Sequence, residues 1–381
     1  MKWEKVKLGD LAICIQPGPF GSQLHSSDYA DEGTPIIMPK DMIDGKISQK
    51  DLIRVPDKHL QRLKRHQVFD GDLMVARKGD VRKCVYITKN ENGWLTGSDC
   101  LKVSLDKEKC FPKYIYYQLR SPFMGRWLET ISIGATMPSL NTGLLSGIEI
   151  FLPTIEEQKR IAGILSAYDS LIENNQEQIK LLEEAAQRLY KEWFVDLRFP
   201  DYETTPIVDG IPQGWENASV TDLLEIRYGK DHKGLADGCI PVYGSGGIMR
   251  KVDKILYSGE SVLIPRKGSL NNILLVSGDF WTIDTMFYSV PKRPNVAKYV
   301  YLYLTGIDMY AMNIGAAVPS MTVKILDGMR LLCPSDSILE LFETTAKPYY
   351  EMIELLKKKQ SMLGETRDRL LPKLMSGEIE V

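Results

Sequence analysis

The tripeptide Arg77-Lys78-Gly79 occurs a second time as Arg266-Lys267-Gly268, each time directly after a run of strand-like residues. Two cations followed by a glycine suit a tight turn that holds positive charge toward solvent. Charge of that kind meets phosphate oxygens, and an arginine can also place two donors on O6 and N7 of guanine in the major groove. The same chemistry is available to Lys40, Arg82 and Lys83 in the first half and to Arg250, Lys251 and Lys254 in the second. Gln23, His25, Tyr243, Ser245, Asn271 and Asn272 add donors and acceptors suited to base edges, on stretches containing Gly and Ser. For each of them a plain solvated loop is the competing explanation.

Residues for catalysis are missing from the pattern. There is no glycine-rich cofactor loop, no Asn-Pro-Pro-aromatic motif, no P-loop and no metal-ligand spacing of His and Cys. The four histidines, His25, His59, His66 and His232, stand in no nucleophile–base arrangement. The net charge of −2 excludes a chain that is basic overall, so a nucleic-acid surface must be a local patch. Residues 1–151 carry a small basic surplus, whereas the stretch from 152 to 194 is acidic. The six cysteines follow no CxxC pattern and no run approaches the roughly 18 apolar residues that span a bilayer. We expect a cytoplasmic protein with no membrane role and no metal of its own.

The elements that must position these residues follow from periodicity. Residues 154–194 read as one amphipathic helix with a seam at Ile161, Leu165, Tyr168, Ile172, Asn175, Ile179, Leu182, Ala186, Leu189 and Trp193, alternating steps of four and three. At about 1.5 Å per residue that seam is roughly 48 Å long, too long for the core helix of a small domain. It requires a partner helix.

The partner is a second copy. Gly134-Ala135-Thr136-Met137-Pro138-Ser139-Leu140 answers to Gly315-Ala316-Ala317-Val318-Pro319-Ser320-Met321, and the same offset of 181 carries Pro153 onto Pro334 and Leu189 onto Leu370. It gives a second seam at Phe342, Ala346, Tyr349, Ile353, Leu356, Gln360, Leu363, Arg367, Leu370 and Leu374. Lys113-Tyr114-Ile115-Tyr116 likewise matches Lys298-Tyr299-Val300-Tyr301. Capping boxes are predicted at Thr154 with Glu157 and at Ser337 with Glu340. Pro348 should kink or break the second helix, leaving a paired part from Tyr349 to Leu371, where Pro372 ends it. Asn175 and Gln360 are the polar seam positions, and a hydrogen bond between them would fix the register.

Strand-like runs at 34–38, 72–76, 83–87, 261–265 and 272–276, with short aromatic helices at 112–119 and 296–304, make each globular part mixed and β-rich. The division expected is 1–153 for a first recognition domain, 154–199 for the central helix, 200–213 for a Pro-rich linker, 214–334 for a second domain and 335–381 for the C-terminal helix. The fold class is α+β: two β-rich domains separated by two long antiparallel coiled-coil helices in a pseudo-two-fold internal repeat. Such a chain would imitate a two-fold dimeric reader of DNA with two unlike heads, the rod setting their spacing.

Leu152-Pro153-Thr154-Ile155-Glu156-Glu157-Gln158-Lys159-Arg160-Ile161-Ala162 resembles the central conserved region of type I restriction-modification specificity subunits. Arg367-Asp368-Arg369-Leu370-Leu371-Pro372-Lys373-Leu374-Met375-Ser376-Gly377-Glu378-Ile379 is similar to their C-terminal conserved region, and the stretches around Tyr243 and Arg266 resemble a common type of target-recognition domain. The resemblance covers essentially the whole chain. It implies a non-catalytic subunit that binds an asymmetric, bipartite double-stranded DNA target and scaffolds two modification (methyltransferase) subunits and, in the full complex, two restriction subunits. S-adenosylmethionine, ATP and Mg are then expected on the partner subunits. The alternatives are a duplicated coiled-coil adaptor and a self-sufficient DNA-modifying enzyme with unrecognised motifs.

Overall fold

The computed structural model describes residues 3–134, 137–313 and 320–381. The chain divides into two compact units, one of residues 1–174 with 359–381 and the other of residues 175–358. The two long helices, Ile155–Tyr190 and Asp336–Ser376, each begin in one unit and end in the other.

In the first unit, strand Glu4–Lys7 pairs antiparallel with Glu149–Leu152, closing the globular part just before the long helix starts. A four-stranded antiparallel sheet has the order Ala12–Pro17, Cys100–Leu105, Leu73–Ala76, Cys84–Tyr86. A smaller sheet sets Thr34–Ile37 between Arg54–Val55 and Leu95–Thr96, the last pairing being parallel. The strand Leu73–Ala76 is buried on both faces, so its residues are apolar in succession and do not alternate. Helix Pro112–Leu119 starts on a proline, whose missing N–H costs nothing at that position. It buries Tyr114, Ile115 and Tyr117 in a core that also takes Ile161 and Leu165 of the first long helix and Leu371, Leu374 and Met375 of the second.

The second unit repeats this topology. Glu216–Ser219 pairs with Arg330–Cys333, and the sheet order is Leu224–Tyr228, Met286–Pro291, Ser261–Pro265, Leu274–Val276. Its smaller sheet again contains one parallel pairing, Asp237–Gly244 with Asp279–Thr282. Helix Val296–Thr305 takes the place of Pro112–Leu119 and shares a core with Ala186, Tyr190, Trp193, Phe194, Phe342 and Ala346. The duplication read from the sequence is therefore a duplication of strand order as well.

Within each unit the long helices run antiparallel. In the first, Asp169 meets Arg367 while the earlier Ile161 and Leu165 share a cluster with the later Leu371 and Leu374. In the second, the Trp193 ring lies 5.7 Å from that of Phe342, while Lys357 acts electrostatically on the earlier Glu183. Every expected seam position is buried or half-buried: Ile161, Leu165, Asn175, Ala186, Trp193, Phe342, Ala346, Ile353, Leu356 and Leu374 are buried, and Tyr168, Ile172, Ile179, Leu182, Leu189, Tyr349, Gln360, Leu363, Arg367 and Leu370 are half-buried.

Three expectations are corrected. The first helix is α-helical to Tyr190 and then makes one π-helical turn, Lys191–Val195. The wider turn allows the consecutive Trp193 and Phe194 both to face the core. The capping box forms at Thr154, whose N–H donates to Glu157 Oε2 at 3.0 Å, but not at Ser337. The second helix begins at Asp336, with the N–H groups of Ile338 and Leu339 on the Ser335 carbonyl, so Ser337 is already inside it.

Pro348 and Pro372 do not end the second helix, which runs through both. Each proline is on the exposed face, where water can take the carbonyl left free one turn earlier, and buried Ala346, Ile353, Leu371 and Leu374 hold the backbone on either side. Asn175 is buried, and its Nδ2 has no hydrogen-bond partner among the described residues. Among the described residues no helix is long and apolar enough to cross a membrane.

Candidate nucleic-acid interface

The two Arg-Lys-Gly turns are not free hairpin tips. In the first unit Lys78 forms a β-bridge with Ser139, Leu140 N–H donates to the Arg77 carbonyl at 2.8 Å, and Gly79 N–H donates to that of Pro138. In the second, Lys267 bridges to Ser320 and Met321 N–H donates to the Arg266 carbonyl at 2.9 Å. Ser139-Leu140 and Ser320-Met321 thus brace the repeated basic turn in the same way. Gly79 and Gly268 both have φ near +80°, a conformation that excludes most side chains. Gly134 has φ +108, whereas Gly315, Ala135, Thr136 and 316–319 lie outside the described residues.

Each arginine lies on an aromatic ring. The Arg77 guanidinium is 5.5 Å from the ring centre of Phe20, and that of Arg266 is 4.9 Å from Tyr228 and 5.3 Å from Phe287. Arg266 also donates from Nη1 to the Asp284 carbonyl at 2.7 Å, which fixes the plane of its guanidinium. Phe20 and Tyr228 are each 54% exposed. Both sit beside a strand-end glycine that tolerates no Cβ: one on Gly18 would strike the Gly97 carbonyl, and one on Gly229 that of Ile283. These backbone approaches hold the ring-bearing segment against the end of the smaller sheet in both units.

Of the residues predicted from sequence, the structure gathers Arg77 and Lys78 in the first unit and Ser245, Arg266 and Lys267 in the second. A Cβ on Gly268 would meet Ser245 Oγ, and Asn272 Nδ2 donates to the Ser245 carbonyl at 2.8 Å. Lys78 Nζ is 3.4 Å from Asp99 Oδ1, both groups being nearly half exposed. An exposed pair of this kind is worth about 1 kcal/mol or less and can exchange for a phosphate.

Other candidates are committed elsewhere. Arg82 is held by Asp80 at 2.8 Å and Glu129 at 3.3 Å, and Arg250 by Asp237 at 2.8 Å and the Leu235 carbonyl. Tyr243 is half-buried with its ring against Phe280, and burial raises its phenol pKa. Asn271 ties two loops together, donating to Asp308 Oδ1 and accepting from Met309 N–H. Lys83 donates to the Pro39 carbonyl beneath the turn that exposes Lys40. Lys251 is exposed on its strand, paired in register with Pro241. Gln23 faces His66 Nε2 at 3.2 Å, and His25 opens a 3-10 turn through its backbone N–H on Asp28.

Sequence reading missed Phe20, Tyr228, Gly18 and Gly229. The available signal was weak: Pro17-Gly18 and Tyr228-Gly229 share only the glycine, placed after the first strand of each sheet.

Comparisons with known proteins agree with this repeated design. The family described as "Type I restriction modification DNA specificity domain" matches residues 1–184. The chain is 28% identical over 331 residues to the type I restriction enzyme MjaIX specificity subunit of Methanocaldococcus jannaschii, covering 78% of this chain and 75% of that one. It is 20% identical over 467 residues to the type I restriction enzyme HindI specificity subunit of Haemophilus influenzae, covering 99% of each. Its fold is similar to that of the crystallised type I S subunit from M. genitalium, with TM-score 0.61, 18% identity and coverage of 98% and 96%. Residues 1–184 thus match the type I restriction-modification specificity domain, and the chain as a whole is similar to specificity subunits of such systems.

Proposed function

We propose that this chain supplies DNA sequence specificity to a type I restriction-modification complex, binding an asymmetric, bipartite duplex target with one half-site per recognition domain. As a specificity subunit it is the non-catalytic member of such a system. The observation that carries the DNA reading is the basic turn bridged by a serine, Ser139 or Ser320, and laid on a half-exposed aromatic ring, present once in each unit with different neighbours. A cation fixed in this way meets phosphate or guanine with little ordering cost, and unlike surroundings give unlike half-sites. The recognition domains correspond to 1–153 and 214–334, with 154–199 and 335–381 as spacer helices and 200–213 as linker.

The outer faces of the helices support a scaffold role. In the first unit Ile164, Leu171 and Met362 are exposed, and in the second Leu181, Leu341, Met352 and Leu355, all off the internal seam. Apolar residues at such positions suit helices of partner subunits. Two modification subunits and two restriction subunits are the stoichiometry we propose, with S-adenosylmethionine, ATP and Mg bound by them.

The test is enrichment of duplexes from a randomised pool by the chain assembled with its modification subunit. One split, asymmetric sequence should emerge, with affinity falling steeply as salt rises. Recovery of no sequence would leave the adaptor reading, and methylated or cut DNA from the chain alone would favour the self-sufficient enzyme.

A further inference from the structure

We infer that Phe20 and Tyr228 are specificity-determining residues, each contacting the 5-methyl group of a thymine next to the position addressed by its arginine. The inference rests on the DNA reading above. Three observations lead to it. Both rings are about half exposed although a guanidinium covers one side, so each offers an apolar surface directly beside a fixed cation. Both are placed by a glycine packed against a carbonyl, Gly18 on Gly97 and Gly229 on Ile283, so the position is built by the backbone in each unit. Residues of different identity, phenylalanine and tyrosine, fill it, so what the two sites share is the aromatic ring.

The geometry argues against a wedge between base pairs. Tyr228 packs edge-on against Phe287 at 5.0 Å as well as under Arg266, which holds the ring to the protein surface. A ring held there reaches groove edges and not the stack. On the major-groove edge of a duplex the apolar group is the thymine methyl, and an arginine beside it is suited to guanine. Each half-site should therefore contain a guanine and a thymine in adjacent or facing positions. The phenol of Tyr228 offers its half-site a donor that Phe20 does not.

The probe is the duplex enriched by the wild-type complex with its modification subunit, made in versions that carry deoxyuridine for thymine at one position at a time. Loss of a single methyl should weaken wild-type binding roughly four-fold at one position in each half, comparable to one buried methylene. Phe20→Ala should abolish that sensitivity in one half only and Tyr228→Ala in the other, while Phe20→Leu and Tyr228→Phe retain it. The wild-type measurement needs no variant, so a misfolded mutant does not blunt the test. Enriched halves lacking thymine, deoxyuridine versions that bind equally well, or alanine variants that weaken all versions alike would each overturn the inference. If the wild-type complex enriches no sequence at all, the DNA reading itself fails; if it does and the methyl has no effect, only this inference fails.

Discussion

Asp169 and Arg367, 198 residues apart in the chain, form an ion pair at 2.7 Å with both side chains largely buried. Tyr117 donates to the second carboxylate oxygen at 2.6 Å, so one carboxylate links helix Pro112–Leu119 to both long helices within the first unit. Losing Arg367 leaves the Asp169 carboxylate without its counter-charge, and losing Asp169 leaves the guanidinium only the exposed Asp368 at 2.8 Å, so either change costs more than the pair gains over an apolar replacement. Asp169→Asn and Arg367→Met should each destabilise that unit by about 2–3 kcal/mol, and the double variant by much less than the sum. Denaturant unfolding of the four proteins checks this, and strict additivity would refute it.

Lys298 plays a similar part in the second unit, only 7% exposed between Glu260 at 2.6 Å and Glu343 at 2.7 Å. Burial pulls its ammonium pKa down, but the two carboxylates outweigh it and leave the group above its ordinary value. Lys298→Met should destabilise by about 3–5 kcal/mol because two carboxylates lose their counter-charge. Adding Glu343→Gln should recover part of the loss, read as the shift in unfolding midpoint.

His66 is buried, and burial, followed by the adjacent Arg65, lowers its pKa from 6.5 to about 4. Arg65 Nε donates to its Nε2 at 3.0 Å, a geometry that protonation would oppose. The unfolded chain then binds more protons than the folded one between these values. Stability should be full above about pH 6.5 and decline as pH falls to about 4, by up to roughly 3 kcal/mol. His66→Gln should flatten that portion of the stability–pH curve; an unchanged slope would assign the acid loss elsewhere.

Gly18→Ala and Gly229→Ala place a methyl group against a backbone carbonyl. Overpacking of this kind costs about 1–3 kcal/mol. Because the same segments carry Phe20 and Tyr228, each variant should also weaken DNA binding by the assembled complex. Binding measured below the unfolding transition separates the two effects.

Pro348 lies on the exposed face of a continuous helix. Since the helix persists despite the missing N–H, Pro348→Ala should raise stability by up to about 3 kcal/mol without changing partner binding. A lower melting temperature would show that the proline shapes the helix in a way its substitution destroys.

The sequence alone determined the parts governed by period and repetition. The heptad seam from Ile161 to Trp193, its copy from Phe342 to Leu374, the Thr154 capping box and the twin basic turns all follow from spacing, because helix geometry converts sequence position directly into a face. Tertiary structure decided the rest. Pro348 looked like a breaker because its cost is local, while the burial of Ala346 and Ile353 that offsets it comes from distant residues. Arg82 and Arg77 are indistinguishable as charges in a string; folding gives one to Asp80 and Glu129 and lays the other on Phe20. Which cation is left for DNA depends on what its neighbours in space have already taken, and no spacing along the chain encodes that.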